Sequence, residues 1–67
     1  MDLKEARFKK GLTQYDISKD SGVHQSRISL IERGYVFPTL KERRKIAETL
    51  DVGIEDIDWN EKTEVSE

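Results

Sequence analysis

The sequence predicts a small all-α domain, and three observations support this fold class. Apolar residues recur at intervals of three and four along most of the chain. Glycines and a single proline separate these segments, and no segment alternates apolar and polar residues as a half-buried strand does. With 67 residues, the chain forms at most one domain with a modest core.

A first helix is predicted over about residues 2–10. Leu3 and Ala6 share one face of it and are its core candidates. Gly11 follows the last periodic position, and glycine is a typical C-terminal cap because it readily adopts the left-handed conformation. The helix is therefore expected to end there.

A second helix over about residues 13–20 and a third over about 25–33 are separated by a short turn. Thr13 is a typical N-cap residue for the former, and Gly34 ends the latter. Gly22 permits the positive φ of a tight turn. Two helices joined in this way form a helix-turn-helix, whose second helix enters the major groove of DNA. Such turns also occur in helical bundles that do not bind DNA. The spacing alone therefore does not distinguish a DNA-binding motif from a simple bundle.

The last part of the chain predicts a loop, a fourth helix and a final turn. Pro38 lacks a backbone donor, so residues 35–39 are expected to form a loop. A helix over residues 40–50 and a single turn over 54–57 follow. The inward stripe of the fourth helix is expected to comprise Leu40, the Arg43 stem, Ile46, Ala47 and Leu50.

Charge is distributed unevenly along the chain, although the total is only -2. Residues 1–45 carry eleven Lys and Arg against six acids, a net charge of +5, whereas residues 46–67 carry one base against eight acids, a net charge of -7. Because salt screens charges beyond about 10 Å, local charge decides whether a polyanion can approach. We expect residues 1–58 to form the domain and residues 59–67 to form an acidic, disordered tail.

The composition argues against several classes of function. The absence of cysteine excludes disulfides and thiolate metal sites and fits a reducing compartment. No apolar run approaches the roughly 20 residues of a membrane span, and the start of the chain does not resemble a signal peptide. We expect a cytoplasmic protein without metal, cofactor or small-molecule ligand. An enzyme is not expected, because so short a chain offers no cleft in which polar catalytic groups converge.

The outer face of the third helix carries residues that can read base edges. At about 100° per residue, Ile28 and Ile31 face the core, and the opposite side carries Ser26, Ser29 and Leu30, with Gln25 at its edge. Gln can pair bidentately with adenine, and Ser is a tolerant partner. Solvated helix faces are also often composed of Ser and Gln, so the pattern alone does not decide. The candidate base-contacting residues are His24, Gln25, Ser26 and Ser29.

Basic and polar residues flank this face on both sides. Long cationic side chains and helix N-termini hold the phosphates on either side of a groove. A polar centre with basic flanks is therefore the arrangement that a DNA groove requires. From this pattern, the candidate phosphate-contacting residues are Gln14, Arg27, Arg33 and Lys41.

The segment TQYDISKDSGVHQSRISLIERG, residues 13–34, is followed by a proline four residues later and then by LKERRKIAETLDVGIEDI. This pattern resembles the Cro and lambda-repressor type of helix-turn-helix protein, the XRE family, over about residues 3–57. The resemblance implies a compact five-helix, lambda-repressor-like domain, with the second and third helices as the helix-turn-helix. It further implies a homodimer that binds operator DNA and regulates transcription.

Individual roles carry over from this resemblance. Gln14 would contact phosphate and brace the third helix at Gln25, and Arg33 and the loop at Tyr35 would lie along the DNA backbone. Arg7 and Glu32 would form a structural ion pair between helices.

Four positions depart from the family pattern, namely Phe8, Tyr15, Ser18 and His24. His24 stands where Ser or Thr usually caps the recognition helix, so that cap is expected to be weaker. Tyr15 stands where a charged residue is common, and it either contacts sugar and phosphate or is merely an exposed ring.

The leading hypothesis is a sequence-specific double-stranded DNA-binding regulator, a repressor of phage, mobile-element or antitoxin type acting on a palindromic operator. The alternative is a protein-interaction module of the same fold that has lost DNA binding and uses its acidic part to hold a basic partner. Trp59 closes the monomer core or joins the dimer interface. The exposed apolar candidates for that interface are Phe8, Val36, Phe37, Ile54, Ile57 and Trp59.

Overall fold

The computed structural model describes residues 1–59 of the chain. Within that range the regular structure is helical: α1 (Leu3–Lys9), α2 (Gln14–Ser21), α3 (Gln25–Arg33), α4 (Leu40–Leu50) and a 3₁₀ turn at Ile54–Asp56. The all-α prediction is thus confirmed. None of these helices is long and apolar enough to span a membrane.

The expectation of five helices is wrong for the described part of the chain, which contains four. The fifth segment is only a three-residue 3₁₀ turn, because Ile57 leaves it in an extended conformation, with φ -110° and ψ 134°. The Asp58 N–H then donates to the Met1 carbonyl at 2.7 Å. This bond belongs to an isolated parallel β-bridge between Asp2 and Asp58. The chain therefore pairs with the N-terminus where a longer helix would have continued.

Three of the four α-helices begin with a reciprocal capping box. In each, the N-cap side chain accepts the backbone N–H of the third helical residue, whose carboxylate accepts the N–H of the cap. The pairs are Asp2 with Glu5, Thr13 with Asp16, and Thr39 with Glu42. The exception is α3, where the His24 side chain makes no capping hydrogen bond. The start of α3 is therefore held by contacts made elsewhere on the helix.

The turn between α2 and α3 depends on glycine. Gly22 has a φ of +80°, in the left-handed region, and a Cβ at this position would meet nothing within 4 Å. The requirement for glycine is thus conformational rather than steric. Buried Ser21 also orders the turn, because its Oγ accepts the Val23 N–H at 3.1 Å.

A single core lies between the four helices. Its fully buried aliphatic side chains come from α2, α3 and α4, and Leu3 and Ala6 of α1 are also buried. The central helix is α2, which packs against both α3 and α4. The fully buried aliphatic residues are Ile17, Ile28, Ile31, Ile46 and Leu50.

The structure places Trp59 in the monomer core. Its side chain is 3% exposed, and its Nε1–H donates to the Ile54 carbonyl at 3.0 Å. The expected boundary assigned Trp59 to the acidic tail, whereas the folded unit includes it; residues 60–67 of that tail lie outside the described residues. Ile57 is buried as well, so neither residue is available for a dimer interface.

Leu40 was expected to face the core, and this expectation is wrong. Leu40 is 51% exposed, because it occupies the first position of α4, beyond the end of the buried stripe formed by Ile46, Ala47 and Leu50. The N-terminal end of α4 therefore presents apolar surface to solvent beside Phe37, which is also exposed.

Burial of Trp59 makes a direct prediction about stability. Trp59→Ala should lower the free energy of unfolding by about 3–5 kcal/mol, because it removes a large buried ring and leaves a cavity. Urea denaturation followed by circular dichroism measures this loss. The matched control is Phe8→Ala, which removes a ring that is 64% exposed and should cost about 0.5 kcal/mol or less. Equal losses in the two variants would contradict the placement of Trp59.

Candidate nucleic-acid interface

The N-terminal turn of α3 presents an exposed polar surface. His24, Gln25 and Ser26 are exposed, and Ser29 is half-buried one turn later. Ile28 and Ile31 are buried on the other side of the helix. The structure thus brings the four candidate base-contacting residues together along one helix that the core holds firmly from behind.

The backbone of this turn adds donors to the polar side chains. His24 is extended, with φ -55° and ψ 141°, and its side chain leaves the first amides of α3 without a capping acceptor. These N–H groups carry the partial positive charge of a helix N-terminus, which favours a neighbouring anion. The expectation of a weaker cap at His24 is confirmed.

An ion pair between α1 and α3 lies directly beside this surface. The Arg7 Nε donates to Glu32 Oε2 at 2.7 Å and its Nη2 donates to Glu32 Oε1 at 3.1 Å. The third nitrogen, Nη1, donates to the Leu12 carbonyl at 3.1 Å. Both charged side chains are almost completely buried. Each charge is therefore compensated by its partner and not by water.

Gln14 joins this ion pair from the first position of α2. Its Nε2 donates to Glu32 Oε1 at 3.0 Å, so the side chain braces Glu32 and not Gln25, the residue expected from the sequence. One of the two hydrogens on Nε2 is used in this bond, which leaves the other for an external acceptor. Glu32 thereby links α1, α2 and α3.

A cleft of about 320 Å³ lies over this network. Exposed Lys4 and Arg33 form basic edges to it, and Ser29 contributes to its wall. The Arg33 guanidinium also lies 5.9 Å from the ring centre of exposed Tyr35, at cation–π distance. The full lining consists of Lys4, Arg7, Gln14, Ser29, Glu32 and Arg33.

Arg27 points away from the polar face and forms a second ion pair, with Glu42 of α4. Its Nη2 donates to Glu42 Oε1 at 2.7 Å and its Nε donates to Oε2 at 3.0 Å. Glu42 Oε1 also accepts the Thr39 N–H at 2.9 Å as part of the capping box. The hydrogen bonds from Arg27 hold the pKa of Glu42 below its usual value, and the same contact raises the pKa of Arg27.

The remaining candidates lie at the edges of the surface. Lys41 is exposed and lines a cleft of about 360 Å³ together with His24, Arg27 and Lys45. Tyr15 is an exposed ring on α2. Within residues 1–59, no three His, Asp or Glu side chains are grouped so that they could hold a metal ion.

Sequence reasoning did not single out Glu42 as a partner of the recognition surface. The spacing of Thr39 and Glu42 marks a capping box, and this spacing was the available signal that the carboxylate is fixed in place. The spacing says nothing about Arg27, which lies fifteen residues earlier. The ion pair arises only because the folded chain brings the Arg27 side chain of α3 within hydrogen-bonding distance of Glu42 of α4.

Comparison with known proteins gives a consistent result. The helix-turn-helix family model matches residues 3–57. A relative from Methanocaldococcus jannaschii, named as an uncharacterized HTH-type transcriptional regulator, is 46% identical over 55 residues that cover 82% of this chain and 83% of the relative. Two Archaeoglobus fulgidus proteins with the same description are 36% and 40% identical over 55 residues, covering 82% of this chain and 79% and 78% of their own lengths. No solved structure matches the chain.

The Arg7–Glu32 pair predicts a large effect of removing one partner. Glu32→Ala should lower the free energy of unfolding by about 3–5 kcal/mol, because buried Arg7 would lose its compensating charge. Chemical denaturation at pH 7 measures this loss. Glu48→Ala serves as a control, since it removes an exposed carboxylate from α4 and should change stability by about 0.5 kcal/mol or less. A similarly small effect for Glu32→Ala would refute a structural role for the pair.

Two depressed carboxyl pKa values predict acid sensitivity. The pKa of Glu42 is lowered chiefly by Arg27, and that of Asp16 by hydrogen bonds from Thr13. Because each folded-state pKa lies below its unfolded value, the stabilisation is complete above about pH 4 to 4.5 and is lost as the pH falls through the folded-state pKa. Urea denaturation between pH 7 and pH 2.5 should show this decline. Glu42→Gln should flatten it, and an unchanged pH profile in that variant would contradict the assignment.

Proposed function

The chain belongs to the helix-turn-helix family, and on that premise we propose that it is a small sequence-specific transcription regulator that binds double-stranded DNA. The observation that carries the proposal is the exposed polar first turn of α3, which the buried Ile28 and Ile31 hold against the core. A rigid helix with short polar side chains at its exposed start fits the major groove. The names of the archaeal relatives, HTH-type transcriptional regulators, support the same function.

In this proposal the base-reading residues are Gln25, Ser26 and Ser29, with His24 beside them. Gln25 is exposed at the first position of α3, where its amide can pair bidentately with an adenine. Ser29 is half-buried and contacts only bases or phosphates that come close to the helix. Gln25 is therefore the main determinant of specificity.

Phosphate contacts come from the residues that flank this face. Exposed Arg33 and Lys41 supply the charge, and Gln14 supplies the second hydrogen of Nε2. Tyr15 and Tyr35 expose rings that can pack on sugars or donate a hydroxyl to phosphate. The net charge of +5 in residues 1–45 supports binding of a polyanion despite the acidic total.

We further propose that the protein acts as a repressor of phage, mobile-element or antitoxin type and binds a palindromic operator as a homodimer. The surface available for pairing includes exposed Phe37 and Leu40 and half-buried Val36 and Ile54, because burial removes Ile57 and Trp59 from the earlier set. Phe8, on α1, is exposed as well.

An interaction module without DNA binding is the second candidate. Exposed acids beyond the middle of α4, at Glu48, Asp51, Glu55 and Asp56, favour a basic protein partner in that case. Selection of bound sequences from a random DNA pool separates the two functions. An enriched site supports the regulator, and the absence of any enrichment supports the module.

The DNA-binding proposal predicts different effects for two alanine substitutions. Gln25→Ala should lose about 1–3 kcal/mol of discrimination at one base-pair position, because a base contact is removed. Arg33→Ala should weaken binding to all sequences alike and reduce the slope of log affinity against log salt by about 0.9, because a phosphate contact is removed. Binding titrations of both variants on the selected site and on point-mutated sites measure the difference. Uniform weakening by Gln25→Ala would show that it does not read a base.

A further inference from the structure

We propose that Arg27 is a positioning residue that sets the orientation of α3 against α4 through Glu42, and that it does not contact the DNA backbone. The effect of this residue on DNA recognition rests on the proposed function, whereas the contact between Arg27 and Glu42 is part of the fold itself. It reassigns a residue that sequence reasoning placed among the phosphate contacts.

The packing of the helices shows why such a residue matters. The central helix α2 packs closely against both neighbours, whereas the backbones of α3 and α4 make little direct contact with each other. The Arg27–Glu42 pair spans this separation with two hydrogen bonds, of 2.7 and 3.0 Å. It is a direct connection between the recognition helix and the helix that follows it, close to the uncapped start of α3.

The direction of Arg27 agrees with this role. At about 100° per residue, Arg27 lies about 160° around the helix from both Gln25 and Ser29. A side chain on that side faces α4 when the polar face is turned to DNA. The Nε–Nη2 edge of the Arg27 guanidinium, one of the edges that could bind a phosphate bidentately, is occupied by Glu42.

Glu42 is held in place independently of Arg27. Its backbone N–H donates to Thr39 Oγ1 at 3.1 Å, and its Oε1 accepts the Thr39 N–H at 2.9 Å. The carboxylate is thus oriented before the guanidinium binds, which reduces the entropy lost when the pair forms. The planar fork of Arg27 then matches both oxygens, a geometry that Lys cannot reproduce. The Arg27 side chain is 37% exposed and that of Glu42 is 21% exposed, but their charges compensate each other, so the pair attracts a phosphate only weakly.

Two charge-conserving substitutions test the proposal. Arg27→Lys keeps a positive point charge, which suffices for a phosphate, but loses the bidentate fork. Glu42→Asp is too short to reach Arg27 in the same way, yet it can keep the capping box, since Asp16 fills the equivalent place in α2. Arg44→Lys is the control, because it makes the same chemical change at an exposed position of α4, two residues after Glu42.

The first measurement is the ratio of affinities for the selected site and for random DNA, together with the salt dependence. Arg27→Lys and Glu42→Asp should each lower this ratio by about threefold to tenfold, while the salt slope stays unchanged and Arg44→Lys has no effect. An unchanged ratio in Arg27→Lys would overturn the proposal. So would a decrease of about 0.9 in the salt slope on Arg27→Gln, because that decrease is the mark of a lost phosphate contact.

The second measurement does not need DNA, so it separates this inference from the proposed function. The amide of Ile28 donates to the His24 carbonyl at 3.0 Å in the first turn of α3. Its hydrogen exchange, followed by NMR, should become several-fold faster in both Arg27→Lys and Glu42→Asp and stay unchanged in Arg44→Lys. If the wild-type protein selects no DNA site, the proposed function fails, but the hydrogen-exchange result still tests the positioning role of Arg27. Exchange at the wild-type rate in both variants would overturn that positioning role.

Discussion

The buried carboxylate of Glu32 is the group that fixes α1 and α2 against α3. It receives two nitrogens of Arg7 from α1 and the amide of Gln14 from α2, so one buried group fixes three helices relative to one another. A buried carboxylate without these donors would be costly, and so would a buried guanidinium without the carboxylate. The geometry is therefore strongly specified even if the pair adds little net stability.

A second ion pair holds the start of α3, and in this pair α3 supplies the base and not the acid. Near its C-terminal end, α3 contributes the acid and α1 contributes the arginine, whereas near its N-terminal end α3 contributes Arg27 and α4 contributes Glu42. Between the two pairs, Ile28 and Ile31 bury the helix in the core. The polar face of α3 is turned away from this core, and its side chains are exposed or half-buried.

Local signals explain why the helices could be located from sequence. Thr13 and Thr39, each with an acid three residues later, mark the starts of α2 and α4, and Gly22 and Gly34 mark ends that require positive φ. These signals act through neighbouring backbone groups, so they are readable without knowledge of the fold. The expectations that failed were tertiary. Leu40 fits an apolar stripe but lies beyond the core, and the last helix gives way to a bridge with the N-terminus.

The sequence by itself determined the helical class, the starts and ends of the four α-helices, the family and the polar face of α3, because each is encoded within a few neighbouring residues. Only the tertiary structure decided where long side chains find their partners. Arg27 reads as a free cation in the sequence, yet the fold places Glu42 within hydrogen-bonding distance of it. Likewise, Trp59 follows directly on an acidic stretch but is buried, because the chain turns back beside the N-terminus. Contacts between residues that are distant in sequence depend on how the helices pack, and local sequence patterns do not specify that packing.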